Sequence, residues 1–313
     1  MPRILAKTTE ITHEEWVKLR RTGIGGSDAA TVCGLNPYSS LIELWADKTG
    51  RLPDKETSEA MRQGQDLEEY VARRFCEATG KKIRRRKAIF QHDKYDSIIA
   101  DIDREIVGEN AGLECKTTST YNKSDFENGE IPLNYLCQCR HYMNVMGYDK
   151  MYLAVLVLGK AFHCYTITYD KDENEALLRM ELDFWEQHII PDVRPDPDGS
   201  DSAERVLETL YSKQQDDEIA LFSEEETAKK LMEIKDKIKL LEADEAQLKQ
   251  KLIFALDGNA RGVTKGWKFS WKPQSRTTVD SKKLKQLYPK IYDEVTKTTT
   301  SQVFRISTLK ERE

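Results

Sequence analysis

Apolar and polar positions follow mixed periods through the first 200 residues and a single heptad period further on. Trp16 and Leu19 share one face of a stretch, 12–21, that opens on Thr12 and carries Glu14 and Glu15 in its first turn, which predicts a capped helix. Ser97-Ile98-Ile99-Ala100 is an apolar run ending in Asp101 and Asp103, and Gly112-Leu113-Glu114-Cys115-Lys116-Thr117 alternates with period two. Both read as strands, and the alternation sets Glu114 and Lys116 on one face. The cluster Pro195-Asp196-Pro197-Asp198-Gly199-Ser200-Asp201 interrupts this pattern and predicts a domain boundary. Residues 1–200 read as an α/β domain with a mixed sheet flanked by helices, and 201–313 as an α+β domain.

In the second stretch Leu231, Ile234, Ile238, Leu241, Leu248, Leu252 and Ala255 form the seam of a coiled-coil-like helix over about 224–257, with Glu245 at its one polar position and Gly258-Asn259 as its stop. Such a helix either binds a partner or packs on its own domain. Trp267, Phe269 and Trp271 then alternate on a short strand, for which Val303-Phe304-Arg305-Ile306 is the expected hairpin partner. Their shared face is either a small core or a platform on which bases stack.

Composition narrows the class. With 39% hydrophobic and 33% charged residues over 313 positions, the chain is a folded globular protein rather than a collagenous or disordered one. The net charge of −5 supplies no overall basic field, so an anionic partner must be held by local patches. No apolar run is long enough to cross a membrane, and no signal-peptide core follows Met1, so a cytoplasmic protein without a membrane partner is expected. Six cysteines without a C-x-x-C pair read as reduced thiols, not as a zinc or iron–sulfur site.

The chemistry concentrates in three places. If the two strands are neighbours, Asp103 lies beside Glu114 and Lys116, and two carboxylates so close repel unless a cation lies between them. Hard Mg²⁺, with Mn²⁺ as its substitute, takes such oxygen ligands and leaves room for water and a phosphate. A bare D…E-x-K is nonetheless common among surface charges. Gly23-Ile24-Gly25-Gly26-Ser27-Asp28 reads as a glycine-rich turn opening a helix, an arrangement that suits phosphate. Lys81, Lys82, Arg84, Arg85, Arg86 and Lys87 form the densest basic run, which is either a solvated face or a track for the DNA backbone.

Taken in order, four blocks resemble the YqaJ-type viral recombinase family, relatives of lambda exonuclease within the PD-(D/E)xK nucleases. They are Trp16, Arg20 and Gly23–Asp28 with Gly34-Leu35-Asn36-Pro37-Tyr38 and Leu44–Gly50; Gly64 with Leu67-Glu68 and Val71; Asp103 with Glu114-Cys115-Lys116; and Tyr135 with Gln138, His141-Tyr142-Met143 and Gly147. The match spans residues 10 to 170. It implies a restriction-endonuclease-like fold in which Asp103, Glu114 and the Cys115 carbonyl bind Mg²⁺, Lys116 is the catalytic lysine, Glu68 is a further acid at the metal site and Gln138 lines it. Arg20 and Ser27, seven positions apart, correspond to the pair that holds a terminal 5′-phosphate. The family's usual Ser-Pro-Asp-Gly turn is replaced by Asp101-Ile102-Asp103-Arg104. Asp101 is therefore an alternative or auxiliary ligand, while register favours Asp103.

The resemblance implies a Mg²⁺-dependent 5′-to-3′ exonuclease on double-stranded DNA ends that leaves 3′ overhangs for phage-type recombination in a bacterial host. A single-strand annealing protein as partner and a ring trimer follow from it alone. A PD-(D/E)xK endonuclease and a non-catalytic DNA-end or partner-binding adaptor are the alternatives. Apart from the resemblance, Glu68 reads as a helix-surface charge, Gln138 as a routine polar residue, and His141 as packed rather than ligating.

Overall fold

In the computed structural model, which describes residues 1–54, 57–119, 126, 129–213, 217–299 and 302–307, the chain divides into two compact units, Met1–Gln214 and Gln215–Glu313. The first runs β1 (Arg3–Lys7), α1 (His13–Arg21), α2 (Gly26–Val32), α3 (Leu41–Lys48), α4 (Glu59–Thr79), β2 (Ile83–Arg84), β3 (Ala88–Gln91), β4 (Ile99–Ala100), β5 (Arg104–Ile106), β6 (Ala111–Thr118), α5 (Leu133–Met146), β7 (Lys150–Val157), β8 (Ala161–Thr168), α6 (Lys171–Phe184) and α7 (Asp201–Leu210). The expected helix over 12–21 forms, with a reciprocal cap in which Glu15 N–H donates to the Thr12 hydroxyl and Thr12 N–H donates to the Glu15 carboxylate.

The main sheet has the order β2-β5-β6-β7-β8 and is mixed: β6 and β7 run parallel, and every other pairing is antiparallel. A parallel pair needs a crossover, which α5 provides. A second, antiparallel sheet pairs β1, β3 and β4. The central strand β6 is covered on both faces. Ala111, Leu113 and Cys115 pack on Val71 and Phe75 of α4, while Glu114 turns to the opposite face and meets Gln138 of α5. The larger core lies on the α5 side, where Leu153 and Val155 of β7 pack with residues such as Val32, Trp45 and Met143.

Two placements differ from expectation. Asp201–Leu210 folds with the first unit, not the second: Ala203 and Val206 join its core, and Ser40 N–H donates to the Ser202 hydroxyl at 3.0 Å. The Pro/Asp/Gly cluster before it marks a turn, and the apolar stripe of the following helix, not the turn, decides which core receives it. The 97–103 run is also split. Ile99–Ala100 pairs in the small sheet, whereas Asp103 sits immediately before β5, the antiparallel neighbour of β6.

One buried charge pair ties this side together. His141 and Glu181 are both fully buried; the imidazole Nδ1 lies 2.7 Å from Glu181 Oε1, and Nε2 lies 2.7 Å from the Ile99 carbonyl. With an acceptor at each nitrogen, the ring satisfies both only as an imidazolium. Burial alone would lower its pKa, but the Glu181 carboxylate outweighs that and raises it. This is the packed histidine expected from sequence. His141→Leu strands the Glu181 carboxylate in the core, and urea denaturation is expected to show a loss of about 3–5 kcal/mol; Glu181→Gln added to it should recover part, and a cost below about 1 kcal/mol would refute the ion pair.

The second unit contains α8 (Glu225–Leu256), β9 (Arg261–Val263), β10 (Lys268–Ser270), α9 (Ser281–Leu287) and α10 (Pro289–Val295). The long helix matches its predicted span and stops in left-handed backbone at Asp257 and Gly258. The aromatic hairpin differs from expectation. β10 pairs with β9, and 303–306 forms no strand among the described residues. Trp267 and Trp271 are exposed, so their face closes no small core.

Candidate active site

The antiparallel pairing of β5 with β6 brings Asp103 to Glu114 and Lys116. Cys115 N–H donates to Asp103 Oδ2 at 2.7 Å, fixing that carboxylate against the strand. Glu114 is buried; its Oε1 lies 2.6 Å from Lys116 Nζ and accepts from Gln138 Nε2 at 2.7 Å. Gln138 also donates to the Tyr142 hydroxyl at 2.9 Å, and Lys116 Nζ lies 5.5 Å from the centre of the Tyr135 ring. Four residues chosen from sequence, Asp103, Glu114, Lys116 and Gln138, thus form one connected cluster.

Its electrostatics are unusual. Burial, then the Glu114 and Glu68 charges, push Asp103 well above the usual carboxylate range. Burial raises Glu114 as well, offset only in part by Lys116. Burial would lower Lys116, but the Glu114 and Asp103 carboxylates more than reverse it, so the amine is a firm ammonium. Glu114 Oε2 is buried with no hydrogen-bond partner. An orphaned carboxylate oxygen beside a second strained carboxylate is a donor set suited to a hard divalent cation. Among the described residues no three His, Cys, Asp or Glu side chains converge as a ready cage, so a cation here would need oxygen ligands beyond the two carboxylates.

A cavity of about 170 Å³ joins this cluster to the glycine-rich turn: Arg20 and Ser27 line it together with Asp101, Asp103, Glu114 and Gln138. Arg20 Nη2 donates to Ser27 Oγ at 2.7 Å, so the seven-residue spacing does produce a contact. Gly26 makes this possible: a Cβ there would fall 2.4 Å from the Tyr142 ring, so only glycine lets α2 start so near α5. Asp28 secures the turn, accepting from Gly25 N–H at 2.9 Å and from the buried Lys48 ammonium at 2.6 Å. Asp101 is exposed and accepts from the Trp16 indole at 3.1 Å, while Arg20 stacks over that ring at 4.9 Å. Of the two aspartates, Asp103 is the one held against Glu114.

Glu68 is close enough to raise Asp103, yet its Oε1 is engaged by Arg104 at 2.5 Å and Arg85 at 3.3 Å. Arg104 escaped the sequence reading. It is buried, and it also donates to the Asp103 carbonyl at 2.7 Å and to Glu69 at 2.8 Å, bridging α4 to the aspartate. Its adjacency to Asp103 was the available signal, but an arginine beside an aspartate looks like any surface pair. The basic run is not a uniform positive track: Lys81 pairs with Glu109, Arg84 and Arg86 with Glu105, and Arg85 with Glu68 and Glu69. Among the described residues only Lys82 and Lys87 of the six make no side-chain ion pair.

The architecture and site define a mixed-sheet α/β unit that carries a partly buried two-carboxylate, one-lysine centre beside an arginine–serine pair. Residues 15–149 match the YqaJ-like viral recombinase domain, and the chain is 38% identical over 308 residues to the YqaJ protein of Bacillus subtilis (strain 168), covering 97% of each. The chain belongs to the YqaJ-like viral recombinase family. Similar solved structures include an alkaline exonuclease (LHK-Exo) from Laribacter hongkongensis, at 18% identity over 56% of this chain and 91% of that one with a TM-score of 0.48, and 0.49 for its complex with dAMP. A phage related exonuclease from Haemophilus somnus 129PT aligns at 11% identity over 56% of this chain and 99% of its own, with a TM-score of 0.40. No described helix is long and apolar enough to cross a membrane.

Proposed function

We propose that the protein is a divalent-metal-dependent deoxyribonuclease that removes nucleotides from the 5′ end of duplex DNA, working with Mg²⁺ or Mn²⁺ and leaving 3′ overhangs for recombination. The observation that carries the reading is the single cavity in which Arg20 and Ser27 face Asp103 and Glu114. A grip for a terminal phosphate beside a hydrolytic centre fits an enzyme that starts at an end. Asp103, Glu114 and the Cys115 carbonyl would hold the cation, which when bound supplies charge neutralisation and a more acidic water.

The remaining work falls to the chain's own side chains. Arg20 presents a guanidinium fork to the 5′-phosphate, with the Ser27 hydroxyl as a second donor. The Lys116 ammonium, held by Glu114, orients the attacking water or stabilises the charge that develops on the scissile phosphate. Gln138 keeps the Glu114 carboxylate turned into the site. Hydrolysis consumes one water per phosphodiester, breaks the P–O3′ bond, and leaves a new 5′-phosphate on the shortened strand for Arg20 to grip again. Glu68 lies behind this centre in the hold of Arg104, and the basic run contributes DNA-backbone contacts through Lys82 and Lys87, and through arginines that would have to exchange carboxylate for phosphate.

Digestion of linear duplexes with and without a 5′-phosphate, in Mg²⁺ or EDTA, with a closed circular control, tests the reading. Wild type should degrade the phosphorylated linear strand in Mg²⁺ and spare circles. Arg20→Ala should erase the preference for phosphorylated ends, a loss of about tenfold or more against the phosphorylated substrate. Cutting of closed circles would instead indicate an endonuclease, and DNA binding without cleavage an adaptor.

A further inference from the structure

The helix α8 buries one residue, Leu256, which closes on Gly262 of β9 so tightly that a Cβ there would lie 2.7 Å from it. Of its apolar seam Leu231 is half-buried, and Ile234, Ile238, Leu241, Leu248 and Leu252 are 43–67% exposed. The helix does not depend on burying that seam. Lys229–Glu225, Lys230–Glu226 and Lys249–Glu245 pairs support it along its surface, and 32 residues is long enough for a helix to persist with little packing. A seam that the fold leaves free is an interaction surface, and the charges beside it select the partner.

The positions flanking the seam carry Lys230, Lys235, Lys237, Lys249 and Lys251, with Glu242 and Asp244 only in the middle, next to the seam residue Glu245. Self-pairing matches these charges less completely than an acidic partner would: the flanks oppose it throughout when antiparallel, and the seam carboxylate and one lysine pair oppose it when parallel. A parallel pair sets Glu245 against Glu245 of a second copy inside the seam and Lys230 against its Lys235, while Lys237 meets Glu242 and Asp244 meets Lys249 on the flanks. An antiparallel pair that overlaps the whole seam aligns Lys235 with Lys249, Lys237 with Lys251, Glu242 with Glu242 and Asp244 with Asp244. We propose that α8 is a docking helix for a different protein, whose amphipathic helix carries an apolar seam flanked by carboxylates at both ends and a basic residue opposite Glu245. This surface is independent of the nuclease reading.

Fluorescence anisotropy of the full-length chain with two synthetic helices of four heptads tests this. Both have Leu at the seam positions; one carries Glu opposite the lysines and Lys opposite Glu245, and the other has those charges exchanged. The acid-flanked helix should bind about tenfold or more tightly than its counterpart, with the gap narrowing at high salt, because the selection is electrostatic. Ile238→Asp with Leu241→Asp, both at exposed positions, should abolish binding while circular dichroism remains that of the folded protein. Equal or absent binding of the two helices would overturn the proposal. So would a concentration-dependent dimer in sedimentation that the same double variant dissolves, since the occupant would then be a second copy.

Discussion

Lys116→Ala is expected to lower Mg²⁺-dependent degradation of 5′-phosphorylated duplex by about a thousandfold while leaving DNA binding within a few fold, because the lost ammonium acts on charge that develops only in the transition state. The side chain is held to that task by two carboxylates: Glu114 Oε1 at 2.6 Å and the nearby Asp103 keep it protonated at any working pH. Its aliphatic stem is largely covered, so a small stability cost accompanies the change, and melting must be followed in parallel. Lys116→Arg keeps the charge but not the compact ammonium and should recover little. Filter-binding and single-turnover cleavage on one substrate separate the two effects. Equal loss of binding and cleavage would move Lys116 from the chemistry to the DNA contact.

The second large effect concerns the protein without metal. Asp103 and Glu114 both have folded-state pKa values above the usual range, so the folded protein holds protons there that the unfolded chain releases near pH 4. That stabilisation is complete below about pH 4 and is lost as pH rises through the raised values, at about 1.4 kcal/mol per unit of displacement. His141, also raised, loses its contribution in the same direction but above its ordinary value, whereas Glu109, held down to about 2 by Lys81, Lys150 and Tyr152, adds no slope in this range. In EDTA the melting temperature should therefore fall from weakly acidic to alkaline pH. Mg²⁺ should restore it, and by more at pH 8 than at pH 5.5, because the cation displaces the site's protons. Asp103→Asn removes a desolvated charge; it should raise the metal-free melting temperature at pH 8, abolish the Mg²⁺ response, and leave the His141 slope in place. A Mg²⁺ response of equal size at both pH values, or one that survives Asp103→Asn, would place the cation elsewhere.

The local chemistry was determined by sequence alone wherever a short-range pattern carries it. Alternation put Glu114 and Lys116 on one face of a strand, the heptad period marked α8 nearly to its ends, and Thr12 opened α1. The motif order was likewise sufficient to find the family. Tertiary structure decided what depends on residues far apart in the chain. The motif register already favoured Asp103 over Asp101, but only the β5–β6 pairing showed its carboxylate held by the Cys115 N–H beside Glu114, because strand pairing is a relation between two strands and not a property of either. Only packing showed that Arg104 is buried and grips Glu68, that most of the basic run is neutralised, and that Asp201–Leu210 belongs to the first core. A sequence states which charges exist, but their burial and partners set what those charges do, and both are fixed by contacts between segments that local pattern cannot see.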